Sequence, residues 1–494
     1  MSALAFLFSN FQYAGQYTVY SINSVSFLYF SMHTDFFTDK RVTVMGLGLL
    51  GRGVGDAAYI AEAGAAEVVV TDLKTADELA DSVNQLSQYG NVKFVLGEHR
   101  EEDFQDRDLI LVAAGVPADS PYLTHARTAG VRLVQSAALF AELADIPVIG
   151  VTGTRGKSMV THMIHHCISY ITGESVLLGG NIRGVSNLQL LPSVTPDGLA
   201  VMELDSWQLQ GWGWAERSPQ VAIFTNFMPD HLNYYRTDGR SEEEAMAAYF
   251  ADKANIFRYQ EGSDVFVTTP DVLQKAQAYA RSTAITIGQG VVLADLSVLP
   301  DDLLLATPGK HNRMNAALAY KALEAVGLTD AEICDGLASF PGVPGRLEYR
   351  GTIGESASRV YNDNNATTPQ ATIAALEAVG TPADRSVVLI AGGADKGLPV
   401  QELASVIGRY CKQLIVLPGT GTDVLLAHLD PAVDHVVADD LSGAVSAAVA
   451  TATATDTILF SPGFASFGLF QNEYERNDQF VQLIQQEQQR AEEL

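Results

Sequence analysis

The sequence predicts a three-domain α/β chain built on parallel sheets. Three observations carry that expectation. Short apolar runs are followed again and again by a turn and a helical run, the rhythm of strand, loop and helix. Two of the turns are glycine loops, at 46–51 and 150–158. A Pro/Gly run, Phe340-Pro341-Gly342-Val343-Pro344-Gly345, then sets off a further series of such units. A chain of 494 residues has room for several domains of ordinary size. The expected divisions are 38–145, 146–343 and 344–494, after an N-terminal extension of residues 1–37.

The extension is rich in Phe, Tyr, Ser and Leu, lacks a basic start, and has polar residues in every apolar run. It fits neither a signal peptide nor a membrane helix. It reads as unstructured or as a misassigned start, with Met32 the true one. Arg41 to Met45 is then a short strand, Gly46-Leu-Gly48-Leu-Leu-Gly51 a turn, and Val54 to Ala63 a helix. A second strand, Glu67 to Thr71, ends at Asp72, and a third, Asp108 to Ala113, enters the turn Ala114-Gly115-Val116-Pro117. The glycine spacing with a following acid matches the dinucleotide fingerprint of a Rossmann-like domain. A tight strand-to-helix turn without any nucleotide gives the same pattern, and the geometry also suits the diphosphate of a UDP-sugar.

The second domain opens with the most informative stretch. Pro147 to Val151 is a strand, Gly153, Thr154, Gly156, Lys157 and Ser158 form a loop, and Met159 to Ile171 a helix. Glycines let backbone N–H groups face phosphate oxygens, and the helix N-terminus adds its positive end. Lys157 can reach the outer phosphates and the Ser158 hydroxyl can ligate Mg²⁺. The spacing departs from the common phosphate loop: Val151 stands where a glycine is usual, and Gly150 lies one residue further back. Leu199 to Glu203 is a strand ending in a carboxylate, suited to Mg²⁺ at the ligand-binding edge of a parallel sheet, although a solvent-facing acid is the ordinary reading. Gln220 to Thr225 is the next strand, and the Asp230-His231 pair beyond it suggests a metal ligand or phosphate contact. Ser241 to Phe257 is a helix with a Ser-x-x-Glu cap, on which a solvated Lys253 is the default. Asn312 and Asn315 share one face of a helix within Pro308 to Val326, where they either meet a nucleotide or merely cap the helix.

In the third domain, strands at Arg359 to Tyr361, Ser386 to Ala391, Gln413 to Leu417 and Thr457 to Phe460 are expected, with a helix in the Ala/Thr-rich stretch 444–456. Polar loops at 363–369, 392–397 and 461–466 follow three of these strands and form a candidate second-substrate site. The formal net charge of −27 argues against nucleic acid and against an anionic membrane surface. Cys167, Cys334 and Cys411 lack metal spacing and read as free thiols.

The order of these motifs resembles the Mur ligases, whose phosphate loop, Gly-x-Thr-Gly-Thr-x-Gly-Lys-Ser/Thr, residues 150–158 match. The resemblance covers roughly residues 40–490 and is strongest to the branch that joins glutamate to UDP-N-acetylmuramoyl-L-alanine. It implies an ATP- and Mg²⁺-dependent amide ligase, cytoplasmic and monomeric, working through an acyl phosphate, with closure at a hinge near 340–346. It further implies catalytic roles for Lys157, His231 and Lys253, with Lys253 carbamylated, and metal ligation by Ser158, Glu203, His231 and Lys253. ATP contacts would fall to Gly153, Thr154, Gly156, Lys157, Ser158, Asn312, Asn315, Arg346 and Asp363. Leu49, Leu50, Asp72, Gly115 and Asn181 would hold the UDP-sugar, and Lys396 and Ser466 the glutamate.

The chain departs from the family at Asp363-Asn364-Asn365-Ala366-Thr367-Thr368, where Asp-Ser-Lys-Ala-Thr-Asn is usual. It also departs at Asp205, usually serine, and at Glu473, often aromatic. These differences leave L-glutamate or another amino acid open as the substrate. A folylpolyglutamate-synthase-like ligase and a non-catalytic ATP-binding protein are the remaining alternatives.

Overall fold

In the computed structural model, residues 35–48, 51–236, 239–283, 285, 287–288, 290–354 and 357–493 are described. They fall into two compact units. One comprises residues up to 299 together with Ala316–Gly336, the other Pro300–Asn315 with Leu337–Leu494.

The first unit holds two parallel sheets. The first sheet consists of β1 (Arg41–Met45), β2 (Glu67–Asp72), β3 (Val92–Leu96), β4 (Leu109–Val112) and β5 (Arg132–Val134), in the order β3-β2-β1-β4-β5. The connections change direction between β1 and β4, and such a switch point opens a crevice at the strand C-termini. The turn after β1 and the turn after β4 both lie there. Gly46, at φ +88°, is packed so closely that a Cβ would sit 2.9 Å from that of Ala113. Of the residues assigned to the extension, Phe37 is fully buried, edge-on to Tyr59 at 6.1 Å, because an aromatic at the entrance to β1 has a core to fill.

The second sheet consists of β6 (Val148–Thr152), β7 (Leu177–Gly180), β8 (Ala200–Glu203), β9 (Val221–Phe224), β10 (Val265–Thr268) and β11 (Gly290–Leu293), in the order β11-β10-β9-β6-β8-β7. Strand β6 lies in the middle, with every residue buried. Each Val, Ile or Phe buried in such a strand contributes roughly 1.5–3 kcal/mol, so the strand that carries the phosphate loop is among the best anchored. Register pairs Val151 with Glu203 on one side and Thr152 with Phe224 on the other. The loop after β6 is thus flanked by the ends of β8 and β9.

The second unit holds β12 (Glu348–Ile353), β13 (Ser358–Asn362), β14 (Val387–Gly392), β15 (Cys411–Leu417), β16 (His435–Val437) and β17 (Thr457–Phe460), in the order β12-β13-β17-β14-β15-β16. Only β12 runs antiparallel to its neighbour. The expected helix at 444–456 runs instead over Leu441–Thr451, started by Asp440, whose side chain accepts from Gly443 N. The helix Glu473–Glu493 docks through Phe480, stacked 4.3 Å from Phe460 of the central strand. No described helix is long and apolar enough to cross a membrane.

Candidate active site

The phosphate loop is held by the strand beside it. Thr154 N donates to Asn226 O at 2.9 Å, and Arg155 N to Asn226 Oδ1 at 2.9 Å. The Thr225 hydroxyl and the Asn226 amide both donate to Arg155 O, at 2.5 and 3.1 Å. Thr154 Oγ1 donates to Met228 O at 3.1 Å. Gly153 takes φ +141°, and a Cβ there would lie 1.9 Å from Thr225 Oγ1 and 3.1 Å from Asn226 N. Gly156, in the left-handed region, caps the helix Lys157–Thr172. Ser158 is buried in its first turn.

Two lysine amines meet at one carbonyl. Lys157 Nζ donates to Gly153 O at 3.1 Å and Thr154 O at 3.2 Å. Lys253 Nζ donates to the same Gly153 O at 2.9 Å and to Thr152 Oγ1 at 3.3 Å. The ordinary reading of Lys253 as a solvated side chain is therefore overturned: it is 1% exposed, with its amine 4.9 Å from the Tyr249 ring. Tyr249 lies one turn earlier on the helix Glu242–Arg258 and packs on the same face. Burial first, and then the neighbouring Lys157 charge, hold the Lys253 amine well below the usual lysine range.

Glu203 is buried at the end of β8. Its backbone carbonyl accepts from Asn181 N at 2.7 Å and its carboxylate from Asn181 Nδ2 at 3.4 Å. Asn181 in turn accepts, through Oδ1, a 2.5 Å bond from Arg52 Nη1 on the helix Arg52–Glu62 of the first sheet. His231 lies seven residues beyond β9, capping a short helix at φ +53°. Its ring packs 4.7 Å from Trp207, and burial pulls its pKa down. Phosphate-loop residues, Glu203 and Lys253 are thus gathered around the end of β6, with the Lys157 and Lys253 charges felt at His231. Among the described residues, no three His, Cys, Asp or Glu side chains form a group able to hold a metal. The donors that are present, the Ser158 hydroxyl and the Glu203 carboxylate, are hard oxygens. So sparse a set suits Mg²⁺, which keeps most of its waters and takes phosphate oxygens.

Asp72 reaches the first glycine loop: its carboxylate accepts from Leu47 N at 2.8 Å, Gly48 N at 3.3 Å and Lys74 N at 2.9 Å. Gly115 turns at φ +94° beyond β4. A cavity of about 240 Å³ opens at the switch point, lined by Gly46, Gly48, Ala114, Arg52 and Gln135 among others. Leu49 and Leu50 lie outside the described residues. Asp205 explains its own departure from the family pattern. It is the N-cap of the helix Ser206–Trp214 in a capping box with Gln208, a task serine also performs.

In the second unit the three polar loops do converge, since β13, β17 and β14 are neighbours. Ser461 Oγ donates to Asp363 Oδ2 at 2.9 Å, and Gly463 N to Ala366 O at 2.8 Å. Ala394 and Ala465 exchange backbone bonds, and Lys396 Nζ donates to Thr367 Oγ1 at 2.9 Å. Ser466 is buried beside them. Asp363 also accepts from Leu347 N at 3.0 Å, and burial pushes its carboxyl up to about 7 despite the opposing Arg346 charge. Asn312 and Asn315 bond each other at 3.2 Å, and the Asn312 amide donates to Pro308 O at 3.0 Å rather than capping the helix.

Sequence reasoning missed Arg52, Thr225, Asn226 and Arg476. A polar pair directly after an apolar strand signalled Thr225 and Asn226. Nothing local signals the two arginines, whose side-chain partners Asn181 and Asn364 lie more than a hundred residues away.

A parallel sheet with a phosphate loop at its centre and a carboxylate on the next strand defines a nucleotide-binding α/β class. Family models then narrow it: a Mur ligase MurD-like N-terminal domain matches residues 40–135, a Mur ligase middle domain 151–323, and a Mur ligase glutamate ligase domain 345–464. A UDP-N-acetylmuramoylalanine–D-glutamate ligase of Roseiflexus sp. is 36% identical over 90% of this chain and 98% of its own. A protein of the same name from Parasynechococcus marenigrum is 33% identical over 90% and 98%. A UDP-N-acetylmuramate-alanine ligase structure from Thermotoga maritima shares the fold, with a TM-score of 0.58 and 18% identity over 90% and 99%. The chain belongs to the Mur ligase family.

Proposed function

We infer that the chain is an ATP-dependent amide ligase that adds D-glutamate to UDP-N-acetylmuramoyl-L-alanine in peptidoglycan precursor synthesis. Its similarity along nearly the whole length to ligases of that name supports the substrates. The observation that carries the chemistry is the Lys157 amine held over the phosphate loop, against Gly153 O and Thr154 O, at the head of a helix. The substrate carboxylate attacks the γ-phosphate, giving an acyl phosphate and ADP; the glutamate amine then attacks the acyl carbon and phosphate leaves. The chain's work is positioning and charge neutralisation.

In this reading Gly153, Thr154, Gly156 and Lys157 cradle the phosphates. Ser158 and Glu203 would hold a Mg²⁺, which supplies charge neutralisation when bound. His231 and a carbamylated Lys253 would hold a second Mg²⁺. Asn312, Asn315, Arg346 and Asp363 meet the nucleotide. The switch-point crevice takes the UDP-sugar, with contacts from Asp72, Gly115 and Asn181 and, by resemblance, Leu49 and Leu50; Lys396 and Ser466 take glutamate. The protein acts in the cytoplasm as a monomer, away from membranes, with domains at 38–145, 146–343 and 344–494.

The test is phosphate release from Mg-ATP, UDP-N-acetylmuramoyl-L-alanine and either enantiomer of glutamate. Release is expected with D-glutamate. Release with L-glutamate alone would move the specificity, and none with either would reject the ligase. Carbamylation has its own check. Carbon dioxide adds to a neutral amine, and burial keeps Lys253 in that form more readily than a surface lysine. Activity should fall in buffer stripped of CO₂ and return with bicarbonate; indifference to both would exclude a carbamate.

A further inference from the structure

Arg476 is 1% exposed on the helix Glu473–Glu493, a costly position for a guanidinium. Its hydrogen bonds go to uncharged oxygens on two different loops. Nε donates to Asn364 Oδ1 at 2.8 Å, Nη2 to Asn364 O at 2.9 Å, and Nη1 to Phe464 O at 3.3 Å. Asn364, itself 1% exposed, returns its amide to Glu473 O at 2.8 Å. Arginine can span both loops because its donors form a rigid planar fork. The helix holding that fork is fixed by Phe480 against the central strand.

We propose that Arg476 is a positioning residue for the incoming amino acid, clamping the 363–368 loop to the 461–466 loop so that Thr367 with Lys396, and Ser466, keep one spacing. The inference rests on the ligase reading above and deepens it. Asn364 is the matching half of the clamp: its Oδ1 takes the arginine while its Nδ2 takes the helix backbone. The bond from Ser461 to Asp363 and that from Gly463 to Ala366 tie the same two loops from the other side. Loss of the arginine therefore loosens the spacing of the two loops without deleting any group that touches substrate.

Arg476→Met and Arg476→Lys are assayed by phosphate release, with each substrate varied in turn, beside a thermal melt. For Arg476→Met the KM for glutamate is expected to rise by about tenfold or more, while that for the UDP-sugar stays within about twofold. Arg476→Lys, which keeps the charge but not the fork, should recover part of the difference. A merely structural arginine would lower the melting temperature and the amount of active enzyme without separating the two KM values. That result, or a glutamate KM unchanged in both variants, overturns the proposal. If Arg476→Met does not fold, Asn364→Ala, which removes the acceptor of the same clamp, is read in the same way. A wild type inactive with every amino acid would sink the ligase reading and this inference together; an active wild type with unsplit KM values sinks the inference alone.

Discussion

Lys157→Ala is expected to reduce phosphate release by at least a factor on the order of 10²–10³ while the protein stays folded. The amine is the one cation carried by the phosphate loop's own helix start, and it already points at the loop, 3.1 Å from Gly153 O and 3.2 Å from Thr154 O. Its removal takes charge from the place where phosphate oxygens would gather. The packing beneath is untouched, because the burial of β6 and its helix depends on Val148, Ile149, Val151 and Met163. Steady-state phosphate release alongside a circular dichroism melt makes the comparison. Turnover within about tenfold of wild type, from a protein with an unchanged melt, would remove Lys157 from the mechanism.

Gly153→Ala is expected to cost about 2–4 kcal/mol in stability and to weaken nucleotide binding as well. Two penalties coincide. The backbone sits at φ +141°, which L side chains rarely adopt, and the new methyl would overlap Thr225 Oγ1, 1.9 Å away. Thr225 cannot simply turn aside, since its hydroxyl is bonded to Arg155 O at 2.5 Å. The denaturant midpoint measures the total. Adding Thr225→Ala relieves the overlap but not the dihedral, so partial recovery is expected; a midpoint unmoved by Gly153→Ala would mean that the loop is far softer than its hydrogen bonds imply.

What the sequence disclosed follows physical lines. The phosphate loop was legible because its chemistry is contiguous: glycines, lysine and serine lie within six residues between an apolar strand and a helix. The three loops of the second unit were legible because each follows an apolar run, and adjacent strands then bring them together. Strand β16 was not, since His435–Val437 is exposed throughout and shows no buried face. Lys253 looked like a surface residue because what buries it, the carbonyl of Gly153 and the hydroxyl of Thr152, arrives from a hundred residues earlier. The cap formed by Asp205, by contrast, is a local pattern, completed by Gln208 three residues on. Side-chain roles set by distant partners are the part that local pattern cannot supply.

The strand order of the second unit has a consequence for how the chain is made. β17 is its last strand in sequence yet pairs between β13 and β14. During synthesis from the N-terminus, β12 to β16 emerge before the strand that joins them, leaving two unpaired edges facing each other. Long-range pairings of this sort are slow to form. The polar loops at 363–368 and 392–397 therefore have no shared scaffold until the chain has passed residue 460. A product cut short before that point would carry a phosphate loop, a switch-point crevice and a sticky half-sheet, but not the cluster of loops that β17 draws together.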